Sequence, residues 1–198
     1  MLVNIHVAES PTMQAWKRCV VLLAGFLMLQ GPAWSSETEY NLGVYAYRAK
    51  DYAGARQHWQ KAVVEGEVSA MNNLGFLLFN ALGGPRDETR AVSLWTTAAK
   101  KGHTESQWHL GEALEQGKGT ERDVVEAYAW YRCAVAGMQS EAQDEEDRAV
   151  MTRARNDMIR VLGRLPEDRV TEAEMRARDY VRRFTAQDNA SEQGGAVK

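Results

Sequence analysis

The sequence is short of the features on which several functional classes depend. It has two cysteines, and Cys19 falls in an N-terminal segment expected to be removed, so Cys133 is left without an internal disulfide partner. Basic residues are not in excess: 24 Lys and Arg stand against 27 Asp and Glu, a formal charge of −3, which gives no field to attract nucleic acid. No apolar run reaches the ~20 residues that a bilayer span requires. There is no phosphate-cradling loop, because GGPR and GKGT read as turns and GKGT lacks the preceding strand of a Walker motif. His58, His103 and His109 show no ligand spacing and are read as solvated or hydrogen-bonded histidines. Cys133 has no nameable base and reads as a small apolar packing residue. No catalytic, cofactor-binding or metal-binding residue is assigned, and the protein is read as non-enzymatic.

What is present begins with an export pattern. Lys17 and Arg18 precede the run CVVLLAGFLMLQ at 19–30, Gly31 and Pro32 break it, and Ala33-Trp34-Ser35 offers small residues before a cut at Ser36. Met13 makes a more usual start than Met1, since it leaves the short basic region MQAWKR. The expectation is a signal peptide at 1–35, an exported periplasmic or secreted protein, and no stable membrane anchor after cleavage. An uncleaved anchor or a buried helix is the alternative. At the other end, AQDNASEQGGAVK has no periodic apolar face, and 186–198 is expected to be a disordered tail.

Between these ends the chain repeats itself. DYAGARQHWQKA at 51–62, DETRAVSLWTTA at 87–98 and DVVEAYAWYRCA at 123–134 align at an interval of 36. Asp51, Asp87 and Asp123 share a column; so do Ala55, Ala91 and Ala127, the rings Trp59, Trp95 and Tyr131, and Ala62, Ala98 and Ala134. Each segment is preceded by a Leu-Gly pair, in YNLG at 40–43, NNLG at 72–75 and WHLG at 108–111. Each unit parses as helix A, turn, helix B. Glycines end helix A with positive φ, Asp caps helix B, and the alanine and ring columns form one face of that helix. Small residues let the helices approach closely and the ring fills the remaining space. A glycine follows helix B in each unit, at Gly66, Gly102 and Gly137.

The pattern L-G-x(12)-D-x3-A-x3-[WY]-x2-A-A/V resembles the Sel-one-like repeat, a branch of the tetratricopeptide superfamily. The resemblance covers about 37–138; Leu78 and Leu114 depart from the tyrosine frequent there, and Gly137 stands one place early. It implies an all-α, right-handed α-solenoid of about three helix-turn-helix repeats over 36–138. A C-terminal capping helix pair is expected over 139–185. Its first helix carries Ala154, Met158, Val161, Leu162 and Leu165 on one face, with the acidic run 144–147 as a solvated face. Thr171 and Glu174 read as a capping box opening the last helix, which carries Ala173, Ala177, Tyr180, Val181 and Phe184.

In arrays of this type helix A lines the concave side. Matching the Leu-Gly pairs places Tyr40, Val44, Tyr47 and Arg48 there from the first unit, Asn72, Phe76, Phe79 and Asn80 from the second, and Trp108, Glu112, Glu115 and Gln116 from the third. Aromatic anchors among scattered polar groups suit a protein or peptide partner. Alternatively, Tyr40 and Trp108 fill gaps between neighbouring helices. The expected role is a protein-protein interaction adaptor of the cell envelope, the alternative an inhibitor of an envelope-acting effector. A cell-wall enzyme is a weaker alternative, because the relatives linked to that chemistry use paired cysteines that are absent here.

Overall fold

The computed structural model describes residues 35–141 and 145–185; the export pattern and the expected tail lie outside the described residues. Eight helices and no strand are present among them: α1 Ser35–Arg48, α2 Tyr52–Val64, α3 Val68–Phe79, α4 Glu88–Lys100, α5 Thr104–Gln116, α6 Val124–Glu141, α7 Glu145–Leu162 and α8 Glu167–Phe184. None is long and apolar enough to cross a membrane. Helices α1, α3 and α5 are the A helices of the three repeats, and α2, α4 and α6 the B helices. The fold is an all-helical repeat solenoid.

The repeated columns explain this stacking at atomic resolution. The six alanines of the two alanine columns are all fully buried. In each A helix the glycine of the Leu-Gly pair lies against the ring of its own B helix. A Cβ added at Gly43 would sit 2.3 Å from Trp59, at Gly75 2.6 Å from Trp95, and at Gly111 2.7 Å from Tyr131. The indole N–H of Trp59 then donates to the Tyr40 carbonyl, and that of Trp95 to the Asn72 carbonyl, both at 3.2 Å. The caps follow the sequence expectation too. Asp51 Oδ1 accepts from Gly54 N at 2.9 Å, Asp87 from Arg90 N at 3.0 Å, and Asp123 from Glu126 N at 2.9 Å.

Turn geometry differs from the sequence reading in three places. The left-handed residue that ends helix A is Gly117 only in the third unit; in the second it is Ala81, at the equivalent position, and in the first it is Lys50, one place further on, with φ of 56° and 62°. A non-glycine residue at such a φ is strained, and the structure around it holds it there. Gly83 and Gly119 are required for a further reason: a Cβ on either would strike a carbonyl, of Tyr52 and Glu88 respectively, at 2.4 Å. The loop between A and B of one unit therefore rests on the opening turn of the previous B helix. Gly137 does not end helix B, because α6 continues to Glu141. Its missing Cβ instead admits Thr104 Cγ2, which an added carbon would approach to 2.4 Å.

The C-terminal helices cover α6. Both α7 and α8 pack chiefly on α6, and α8 also reaches α4. Ala154 and Val161 of α7, and Ala173 and Ala177 of α8, are buried in these contacts. The expected capping box is not the start of α8: the helix opens four residues before Thr171, after Pro166, with Glu167 and Asp168 in its first turn. Proline presets the φ of −56° at that boundary, and the two acids complement the helix dipole. Thr171 and Glu174 thus lie inside the helix, and Glu174 accepts the Tyr128 hydroxyl at 2.5 Å.

Candidate functional site

Helices α1, α3 and α5 bring their exposed faces to one cleft of about 510 Å³. Tyr40, Val44, Tyr47, Arg48, Asn72 and Phe76 line it, and they are half of the concave residues named from the sequence. Four further residues complete it: Trp59, Asn73, Glu105 and His109.

The repeat register assigns each column its place. Residues three before the Leu-Gly glycine sit at junctions between A helices. At the first such junction Tyr40 is half-buried and lines the cleft; at the second Asn72 is buried. Asn72 Nδ2 donates to Glu105 Oε2 at 2.7 Å, and its Oδ1 accepts from Ser106 Oγ at 2.9 Å. At the third, Trp108 is half-buried against α7 and donates its indole N–H to Asp157 Oδ2 at 3.0 Å. Trp108 is thus a junction residue with its polar edge already bonded within the chain.

Residues four after that glycine pack over the B-helix ring. Tyr47 lies 5.7 Å from Trp59 and Phe79 5.1 Å from Trp95, centroid to centroid. Glu115 replaces the ring in the third unit and accepts the Tyr131 hydroxyl at 3.0 Å. Glu115 also pairs with Arg160, which bonds Asp157 at 2.7 Å. These hydrogen bonds push the Arg160 pKa up, and burial beside Glu115 raises that of Tyr131. Phe79 has Lys118 over its ring at 5.9 Å. Asn80 and Gln116 end their helices exposed, and the Asn80 amide turns back to the Phe76 carbonyl at 2.9 Å.

The floor of the cleft belongs to the remaining column and its neighbours. Phe76 lies 6.1 Å from the His109 ring, which itself stacks on Trp95 at 4.8 Å and lies tilted against Trp108 at 4.7 Å. His109 is therefore not solvated: 8% of it is exposed. Two carboxylates of its own helix flank it, Glu105 at 3.9 Å from Nε2 and Glu112 at 3.5 Å from Nδ1. Asn73 accepts from Asn72 Nδ2 at 3.3 Å, and among the described residues its own amide N–H groups have no acceptor. Arg48 has no acidic partner among them. The cleft thus offers aromatic walls, an amide donor, one guanidinium at the α1 end and the Glu105 carboxylate at the α5 end. The signal for Asn73 and His109 was their shared column with Asn41; its inward direction depends on the tilt between units, which spacing does not encode.

Cys133 is fully buried, with its thiol 3.5 Å from the Tyr180 carbonyl, and burial pushes its pKa up to about 12. No group of His, Cys, Asp and Glu suited to holding a metal ion occurs among the described residues.

The family described as Sel1 repeat matches residues 68–103 and 104–137, which are α3 with α4 and α5 with α6. Among solved structures, the chain is similar to c5321, a protective antigen of uropathogenic Escherichia coli strains displaying an SLR fold. The TM-score is 0.68 at 24% identity, over 83% of this chain and 34% of the antigen. It is also similar to a Sel1 repeat protein from Oxalobacter formigenes, with a TM-score of 0.53 at 25% identity over 80% of this chain and 63% of that one. An F-box protein of Arabidopsis thaliana is 29% identical over 105 residues, or 51% of this chain and 31% of the relative. The chain spans about a third of the length of the F-box protein and of the antigen. The two matched repeats, preceded by a unit in which a glycine likewise packs under a B-helix ring, support a Sel1-like repeat helical fold for this chain.

Proposed function

We propose that the protein is an exported adaptor of the cell envelope that holds a segment of a partner protein in the cleft formed by α1, α3 and α5. Sel1 repeat proteins generally serve as protein-interaction modules. Export rests on the order of basic, apolar and small residues at 17–35. The observation that carries the reading is the lining of the cleft: Tyr40, Tyr47 and Phe76 present aromatic surface beside the free amide of Asn73. Rings supply contact area at low entropic cost, and an amide donor fixes a main-chain carbonyl. Arg48 at one end and Glu105 at the other favour a segment with an acidic residue followed, along the groove, by a basic one.

Trp108 and Glu115 are committed to α7, which moves the weight of binding toward the first two units. A photo-crosslinking amino acid placed at Arg48 or Asn73 is expected to trap the partner in envelope extract. One placed at the exposed convex residue Gln57 is not expected to. Crosslinks at Gln57 alone would put the partner on the outer face. Phe76→Ala should weaken the trapped interaction by about 2 kcal/mol or more, read by titration of the identified partner segment; unchanged affinity overturns the cleft assignment.

A further inference from the structure

A second cleft, of about 500 Å³, lies at the other edge of the array, where α6 begins and α7 turns into α8. Its origin is in the repeat. At the two internal junctions the opening of a B helix is covered by the following A–B loop: Gly83 rests on the Tyr52 carbonyl and Gly119 on the Glu88 carbonyl. Arg56 fastens the first of these loops by donating to the carbonyls of Leu77, Leu82 and Pro85. The third B helix opens at Val124, in the same column as Tyr52 and Glu88. The segment that follows α7 is the turn 163–166, only four residues, against eight at 80–87 and seven at 117–123. The short turn leaves uncovered a place that the repeat otherwise fills with extended backbone.

The lining says what suits that place. Val124, Leu165 and Pro166 make an apolar floor continuous with the buried Val125 and Val161. Both acids at its rim are already satisfied: Glu115 by Arg160 and Tyr131, and Asp123 by capping α6 and by Arg176 at 3.4 Å. The arginines are not. Among the described residues Arg122 donates only through Nε, to the Glu115 carbonyl at 2.9 Å, and Arg164 has no side-chain partner. Arg169 pairs with the exposed Glu172 at 2.7 Å, a contact of little strength in water. Net positive charge therefore surrounds an apolar floor.

We infer that this cleft is a docking site for an extended peptide segment of a partner in which an acidic side chain adjoins an apolar one. The apolar residue sits over Val124 and Leu165, and its acidic neighbour accepts from Arg122 and Arg164. The site is separate from the groove formed by α1, α3 and α5 and does not depend on it.

The test is an amide-resolved titration of the uniformly 15N-labelled full chain. The probe is the peptide acetyl-Gly-Leu-Asp-Val-Glu-Gly-amide, compared with its isostere carrying Asn and Gln. The acidic peptide should shift the amides of residues 122–125 and 161–169 saturably. The isostere should bind roughly tenfold more weakly or worse, and added salt should weaken the acidic peptide. Arg164→Glu, at an exposed site, should lose roughly tenfold in affinity while Arg164→Lys retains most of it, with helicity checked by circular dichroism. Four results of the peptide titration overturn the proposal: no saturable shift, equal binding of the isostere, shifts confined to residues 40–109, or unchanged affinity in Arg164→Glu. If deleting 186–198 by itself shifts the cleft amides, the occupant is the chain's own tail and the inference also falls.

Discussion

At the glycine of each Leu-Gly pair a single missing carbon decides how closely two helices approach. Gly75 lies under the Trp95 indole and Gly111 under the Tyr131 ring, both buried and rigid, so an added methyl must push the helices apart. Gly75→Ala and Gly111→Ala should each destabilise by about 1–3 kcal/mol through overpacking, in spite of the ~1 kcal/mol that alanine gains in helix propensity. Gly66 provides the contrast, because it has φ of 91° and nothing within 4 Å of its added Cβ. Gly66→Ala should cost only the left-handed strain of about 1 kcal/mol. Urea unfolding of the three variants gives the ranking, and a Gly75→Ala variant as stable as the parent would exclude the close approach. These columns were legible because each one is a contact inside a single repeat and recurs at fixed spacing. The Arg56 clamp was not: it joins two units, and the equivalent residue in the next unit is Val92, so no column marks it.

The helices show which boundary signals are physical and which are coincidental. The three Asp caps were readable because a short carboxylate before an amphipathic run has one stereochemical use. Thr171 with Glu174 has the same spacing, yet Pro166 opened the helix earlier and placed the pair inside it. The cap of α5 went unread, since the residue there is His103, whose Nδ1 accepts from Ser106 N at 3.2 Å. That bond needs an unprotonated nitrogen. Burial lowers the His103 pKa below its ordinary 6.5, with Glu105 opposing, His109 reinforcing and Glu67 opposing. The folded state therefore takes up the proton less readily than the unfolded chain. Stability from this cap is fully present above pH ~6.5 and is lost as pH falls through that value toward the lower folded pKa. Between pH 7.5 and 5 the parent should lose about 1 kcal/mol that His103→Asn, which keeps an acceptor but cannot protonate, does not lose. Parallel pH profiles for the two proteins would refute the assignment.

Across the whole molecule, the last helix closes the array by returning along it. The sequence showed its apolar face but not its target, because Tyr180 and Phe184 match no repeat column. Trp130 of α6 receives both, at 4.7 and 5.3 Å between centroids, and Gln107 of α5 donates to the Ala99 and Phe184 carbonyls together. Glu126 gathers the Trp130 indole, the Tyr180 hydroxyl and Arg176, while Glu174 takes the Tyr128 hydroxyl. In a solenoid each unit is stabilised by its neighbours, so the end of α8 should control whether the third unit stays closed. Phe184 is half-buried, and Phe184→Ala should cost about 2–3 kcal/mol, somewhat less than a fully buried ring. Its signature should be local before it is global. Cys133 beneath α8 has a thiol raised to about 12 by burial, so at pH 8 it should resist a thiol reagent in the native parent. In Phe184→Ala that labelling should accelerate at urea concentrations where the circular-dichroism signal of the first two units is still native. If labelling and helicity change together in both proteins, α8 is part of one all-or-none unit rather than the closure of the array's last repeat.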